Sequence, residues 1–148
     1  MGAHEGHAAL SVSDAVIHEH LSALSALSQN VSDSMSDEIQ ALAERVLETI
    51  LAGGKVMFCG NGGSAADAQH LAAEYVVRFS RERRALAVLA LTTDTSVLTA
   101  GGNDYGYDTI FSRQVEALGR AGDLLILHST SGESENLIAA AQSAGRLE

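Results

Sequence analysis

The stretch Lys55-Val-Met-Phe-Cys-Gly60-Asn-Gly-Gly-Ser64-Ala-Ala-Asp-Ala-Gln-His70-Leu-Ala-Ala-Glu74 decides how this chain folds. Residues 56–59 are a short apolar run of the kind a buried parallel strand shows. Gly60, Gly62 and Gly63 supply a tight turn, because glycine reaches backbone angles closed to other residues. Ser64 then reads as the cap of a helix that runs to about Phe79. A helix that starts directly after a strand offers free N–H groups and the positive end of its dipole to whatever sits above the turn, and an anion is the natural occupant. A strand-to-helix connection with glycines for steric reasons only is the alternative on this stretch alone.

Upstream, Val16, Ile17, Leu21, Leu24 and Leu27 recur at helical spacing from Ser13, with Ser22, Ser25 and Ser28 facing away. Asn30 to Ser36 breaks this helix, and Ser34-x-x-Asp37 opens a second one with Ile39, Leu42, Val46, Leu47 and Ile50 on one stripe. Gly53-Gly54 ends it. Residues 1–12, with His4 and His7, show no periodicity and read as a frayed tail with no metal site. The expected organisation is a tail over 1–12, a helical pair over 13–54 and an α/β domain over 55–148.

Downstream, Leu86–Leu91 is a second apolar run of strand length, followed by polar Thr92-Thr-Asp-Thr-Ser96. Leu98–Tyr107, with three glycines around Asn103-Asp104, reads as a flexible loop, and Ile110, Val115 and Leu118 mark another helix. Asp123–His128 is the third strand. It leads into Ser129-Thr-Ser-Gly-Glu-Ser134 and a helix over 135–144. In a parallel sheet the three loops fall together beyond the carboxyl ends of the strands, where open α/β sheets bind ligands. Ser129, Thr130, Ser131 and Ser134 beside Gly132 can donate hydrogen bonds to a phosphate without any cation, although a serine-rich turn and cap would look the same.

The totals narrow the classes. With 148 residues, the chain is long enough for one domain with a real core. Its net charge of −10 argues against nucleic acid and anionic membranes as partners, so any anion must be held locally. No apolar run approaches the roughly 20 residues that cross a bilayer, and a soluble, cytoplasmic protein is expected. The single cysteine, Cys59, excludes an internal disulfide framework and suits a small buried side chain. Arg78, Arg81, Arg83 and Arg84 read as the solvated end of the helix begun at Ser64 rather than as a binding patch.

His70 and Glu74 are one helical turn apart, so they share a face and could share a metal or a substrate proton. A surface pair is the plainer account, and two ligands do not make a zinc site, which needs three or four.

Taken together, Gly60–Glu74, Thr92–Ser96, Gly102-Asn-Asp-Tyr-Gly-Tyr107, Phe111-Ser-Arg-Gln114 and Ser129–Ser134 resemble the phosphoheptose isomerases of the sugar isomerase (SIS) domain family, over about residues 13–145. The resemblance implies a three-layer α/β/α flavodoxin-like parallel sheet with N-terminal helices, assembled as a homotetramer with active sites between subunits. It implies conversion of sedoheptulose 7-phosphate to D-glycero-D-manno-heptose 7-phosphate, for lipopolysaccharide precursors. Asn61, Gly62, Gly63 and Ser64 would contact substrate, as would Asn103 and Asp104. Ser129, Thr130, Ser131 and Ser134 would hold the phosphate. His70 and Glu74 match zinc ligands, and Glu74 also matches the catalytic acid/base.

Members of the family continue for two further strands and a helix carrying a glutamine and a histidine that complete the metal and acid/base set. The sheet is therefore expected to be cut to about three strands, in the order 2-1-3, with the third strand as an open edge inviting self-association into a dimer or larger homo-oligomer. The chain has no proline, where average usage of about 5% would give roughly seven, and this includes positions near Ala87 and Glu135. With the ending Gly145-Arg-Leu-Glu148, that suggests an engineered or truncated chain whose isomerase activity is absent or severely weakened. Two other outcomes stay open: a non-catalytic module binding sugar phosphate or protein, and a fold fragment with no activity.

Overall fold

The computed structural model describes residues 14–147, so the expected tail over 1–12 lies outside the described residues. The chain divides into two compact units, one up to Ala43 and one from Glu44 onward.

The first unit holds α1 (Asp14–Ser34) and the start of α2 (Ser36–Leu51). The expected break over Asn30–Ser36 is absent, and only Met35 separates the two helices. The polar side chains there bond back into the helix rather than capping a new one: Ser34 Oγ donates to Asn30 O at 2.7 Å, and Ser36 Oγ to Ser32 O. Met35 N also reaches Val31 O at 2.9 Å, which keeps the turn helical. Val16, Ile17, Leu21, Leu24 and Leu27 do lie on α1, and all five are exposed.

In the second unit β1 (Val56–Gly60), β2 (Val88–Ala90) and β3 (Leu124–His128) form one parallel sheet in the order β2-β1-β3. Val56 pairs with both Val88 and Leu124, so the three strands start level and end on one rim. β1 is buried along its whole length, as the middle strand of a sheet covered on both faces must be. Alternate residues of β1 serve opposite layers. Val56 and Phe58 pack with Ala68 and Ala72 of α3 (Gly63–Val76) and with Val46 and Ile50 of α2. Met57 and Cys59 pack with Val115 of α5 (Ser112–Leu118) and with Leu137 and Ala140 of α6 (Glu135–Ala144). The result is the expected three-layer α/β/α arrangement.

Asp123 clamps the lower ends of β1 and β3. Its carboxylate accepts from Lys55 N and Arg120 N and pairs with the Lys55 ammonium. Burial alone would raise this carboxyl, but the Lys55 and Arg120 hydrogen bonds and the Lys55 charge hold it below its ordinary value.

Three boundaries in the second unit differ from expectation. The segment read as a flexible loop over Leu98–Tyr107 is helix α4 (Thr95–Tyr105). Asp94 caps it by accepting from Val97 N at 3.0 Å, Thr99 Oγ1 bonds back to Thr95 O, and Gly106 stops it at φ +90°. Cap and stop outweigh two internal glycines, each costing about 1 kcal/mol. A short 3₁₀ turn (Tyr107–Thr109) follows. Next, β2 is shorter than Leu86–Leu91. Finally, α3 begins at Gly63 with Gly62 as its cap residue, not Ser64, and ends at Val76 rather than near Phe79. Arg83 donates to Glu74 O at 2.6 Å, so part of the basic cluster satisfies a carbonyl in the last turn of α3.

Candidate functional site

The upper rim is built by the turn after β1 and the loop after β3. Gly60 has to be glycine for a steric reason, since a Cβ there would sit 2.7 Å from Ser64 O. Gly62 has φ +56°, the left-handed region that a side chain resists, and this turns the chain into α3. Ser64 therefore lies just inside the first turn, with its hydroxyl not engaged in capping. Gly132, at φ +71°, makes the equivalent reversal after β3.

These two loops enclose a small cavity of about 60 Å³ lined by Asn61, Ser64, His128, Ser129, Thr130, Ser131 and Ser134. Six of these were expected from the sequence. Ser129 Oγ accepts from Gly132 N at 2.9 Å and Ser131 Oγ accepts from Glu133 N at 3.2 Å. With their acceptor side used by the backbone, both hydroxyl hydrogens remain available as donors to an anion. A larger cavity of about 320 Å³ runs beside β3, lined by Met57, Val115, Leu125 and Leu127, but it brings no comparable set of donors together.

A side-chain pair locks the two loops. Asn61 and Asn136 exchange hydrogen bonds in both directions at 2.9 Å, and Tyr107 Oη donates to Asn61 Oδ1 at 3.2 Å. Asn136, on the first turn of α6, is only 3% exposed, so the pair fixes the spacing between the cavity's walls. Asn136 and Tyr107 went unread in the sequence. Asn136 carried a signal, being a polar residue on the buried face of an otherwise apolar helix. Tyr107 ended the Gly102–Tyr107 motif but was given no role of its own.

The remaining candidates lie elsewhere. Gly62 and Gly63 shape the turn but do not line the cavity. Asn103 and Asp104 sit on α4, bonded to each other at 2.7 Å, and Asp104 faces a separate hollow with Tyr105 and Arg113. The polar residues after β2 serve the framework: Thr92 Oγ1 donates to Ala65 O, and Asp94 caps α4.

His70 Nε2 and Glu74 Oε1 are 3.8 Å apart on α3. Glu74 Oε2 is buried without a hydrogen-bond partner, an unmet demand that suits a cation or a donor from outside the chain. Among the described residues no group of three or more His, Cys, Asp or Glu could hold a metal. Two side chains fall short of the three or four that zinc needs, so the residues present do not fit zinc by themselves. Glu74 is also ten residues beyond Ser64 on a helix that runs away from the rim, a rise of about 15 Å. Its lean toward the helix N-terminus shortens that gap without closing it. Glu74 is not among the residues that line the cavity.

The parallel β2-β1-β3 sheet agrees with the comparisons to known proteins. The SIS domain family matches residues 19–148, and the chain belongs to that family. Within it, the chain is similar to phosphoheptose isomerases. It is 62% identical over 112 residues to that of Roseiflexus sp. (strain RS-1), covering 76% of this chain and 57% of the relative. It is 58% identical over 114 residues to that of Akkermansia muciniphila, covering 77% of this chain and 60% of the relative. Among solved structures, phosphoheptose isomerase from Neisseria gonorrhoeae superposes with a TM-score of 0.82 at 46% identity, over 88% of this chain and 68% of that one. The Francisella tularensis enzyme gives 0.86 at 36% identity, over 89% and 69%. The chain thus spans well under two thirds of those two curated relatives. No helix among the described residues is long and apolar enough to cross a membrane.

Proposed function

We propose that this chain carries the sugar-phosphate-binding half of an aldose–ketose isomerase that interconverts sedoheptulose 7-phosphate and D-glycero-D-manno-heptose 7-phosphate in the cytoplasm. One observation carries the reading: hydroxyls from two loops converge on a single cavity whose spacing is locked by Asn61 and Asn136. Ser64, Ser129, Thr130, Ser131 and Ser134 hold the phosphate, with free N–H groups at the starts of α3 and α6 behind them. Isomerisation moves a proton between adjacent carbons through an enediol, which requires a carboxylate able to take and return it. Glu74 fills that role, with Asn103 and Asp104 as further substrate contacts.

The distance along α3 favours a Glu74 that serves the cavity of a second copy, so the working unit is a homo-oligomer. The free side of β3, which among the described strands pairs only with β1, is one surface through which copies would associate. Zinc would find His70 and Glu74 here and would need further donors from outside this set.

Turnover of sedoheptulose 7-phosphate with added zinc, beside a Glu74→Gln control, tests the reading. The 148 residues alone are expected to turn over weakly or not at all, and any activity should vanish in the control. Equal activity in both would overturn Glu74 as the base. The position of Glu74 also favours a second reading, a non-catalytic module that binds sugar phosphate. That reading predicts binding with no turnover under any metal.

A further inference from the structure

His128 stands apart from every residue given a role above. It is the last residue of β3, paired in register with Gly60, and its ring lies against Phe58 with centroids 5.4 Å apart. It lines the same cavity as the five hydroxyl residues and Asn61. Its Nδ1 is sealed from solvent and has no hydrogen-bond partner. A buried polar atom left without a partner is costly, and a strand end packed in apolar contacts would ordinarily carry an aliphatic side chain instead. Among the seven lining residues it is also the only one able to bear a positive charge, in a chain whose net charge is −10.

We propose that His128 is a binding residue of the cradle, whose imidazole completes its hydrogen bonding with the phosphoryl group held by Ser64 and the Ser129–Ser134 loop. The inference rests on the reading of that cavity as a phosphate site. A neutral imidazole has one donor and one acceptor nitrogen, and a protonated one has two donors. Either form can donate to a phosphoryl oxygen, directly or through one water. Phe58 packs against the ring at an interplanar angle of 39°, and the sealed Nδ1 meets the ligand by a turn of the ring toward the cavity.

Long-range ¹H–¹⁵N spectra of the imidazoles, recorded while inorganic phosphate is titrated into the ¹⁵N-labelled chain at constant ionic strength, test this. His128 is assigned by difference from His128→Gln. The expected result is that the His128 ring nitrogens shift with the same midpoint as the Gly132 and Glu133 amides, while His128→Leu weakens phosphate binding about ten-fold. Moving amides with an unmoved His128 ring would overturn the proposal and leave the cradle standing. If neither moves, the cradle reading falls and takes the proposal with it. Should His128→Leu fail to fold, the ring shifts in the unaltered chain still decide.

Discussion

At the scale of single residues, the rim depends on a few side chains that do two jobs at once. Asn61 is both a wall of the cavity and one half of the Asn61–Asn136 pair. Asn136→Ala should therefore cost about 1–2 kcal/mol of stability, by leaving the half-buried Asn61 Nδ2 without its acceptor while Oδ1 keeps only Tyr107, and should also weaken sugar-phosphate binding; denaturant melts and calorimetry read the two effects separately. Gly60→Ala should be worse, because its Cβ would collide with the Ser64 backbone and push the first turn of α3 away from the rim; thermal melting checks this. Cys59 is fully buried, which pushes its thiol up to about 12, so a thiol reagent at pH 8 should label it only after unfolding. Labelling of the native protein at the rate of a free thiol would contradict the packing. Much of this was legible beforehand. The serines and glycines announce themselves because turns and anion cradles need small, donating residues. Tyr107 and His128 do not, and Asn136 does so only as a polar residue on a buried helix face, since their importance comes from partners distant in sequence.

At the scale of elements, strands and most helices followed from periodicity, while boundaries were set by bonds that pattern alone does not reveal. α4 is the clearest case. Its two glycines suggested a loop, but the Asp94 cap and the Gly106 stop define a helix around them. Similarly, α1 runs through Asn30 because Ser34 and Ser36 return their hydroxyls to the preceding turn. The Lys55–Asp123 clamp at the strand starts was likewise invisible, being a contact between residues 68 positions apart. Because the folded carboxyl of Asp123 lies below its unfolded value, its contribution to stability is present above the unfolded value and is lost as pH falls through the folded one. Asp123→Asn should lower stability by about 2–3 kcal/mol at neutral pH, and urea melts should show that difference shrinking toward low pH. A difference that stays constant with pH would mean the carboxylate charge is irrelevant to the clamp.

At the scale of the molecule, β3 pairs among the described strands only with β1, and Leu21, Leu24 and Leu27 of α1 are more than half exposed, at 58–59%. Sedimentation should find a dimer or larger species at micromolar concentration. A well-folded monomer at high concentration would rule out the oligomeric form of the proposed site. The sequence made the convergence of loops after parallel strands legible, because chain direction alone dictates it. That Glu74 lies ten residues along α3 from Ser64 follows just as directly from helix length, yet its absence from the cavity lining emerges only once α3 is drawn antiparallel to β1. The most direct test of the central claim is the electron density of sedoheptulose 7-phosphate bound to the protein. The account predicts the phosphate within hydrogen-bond distance of Ser64 and the Ser129–Ser134 loop, with a Glu74 from a second copy at the sugar's carbonyl end. A phosphate seated anywhere else, with those hydroxyls left to water, would contradict it.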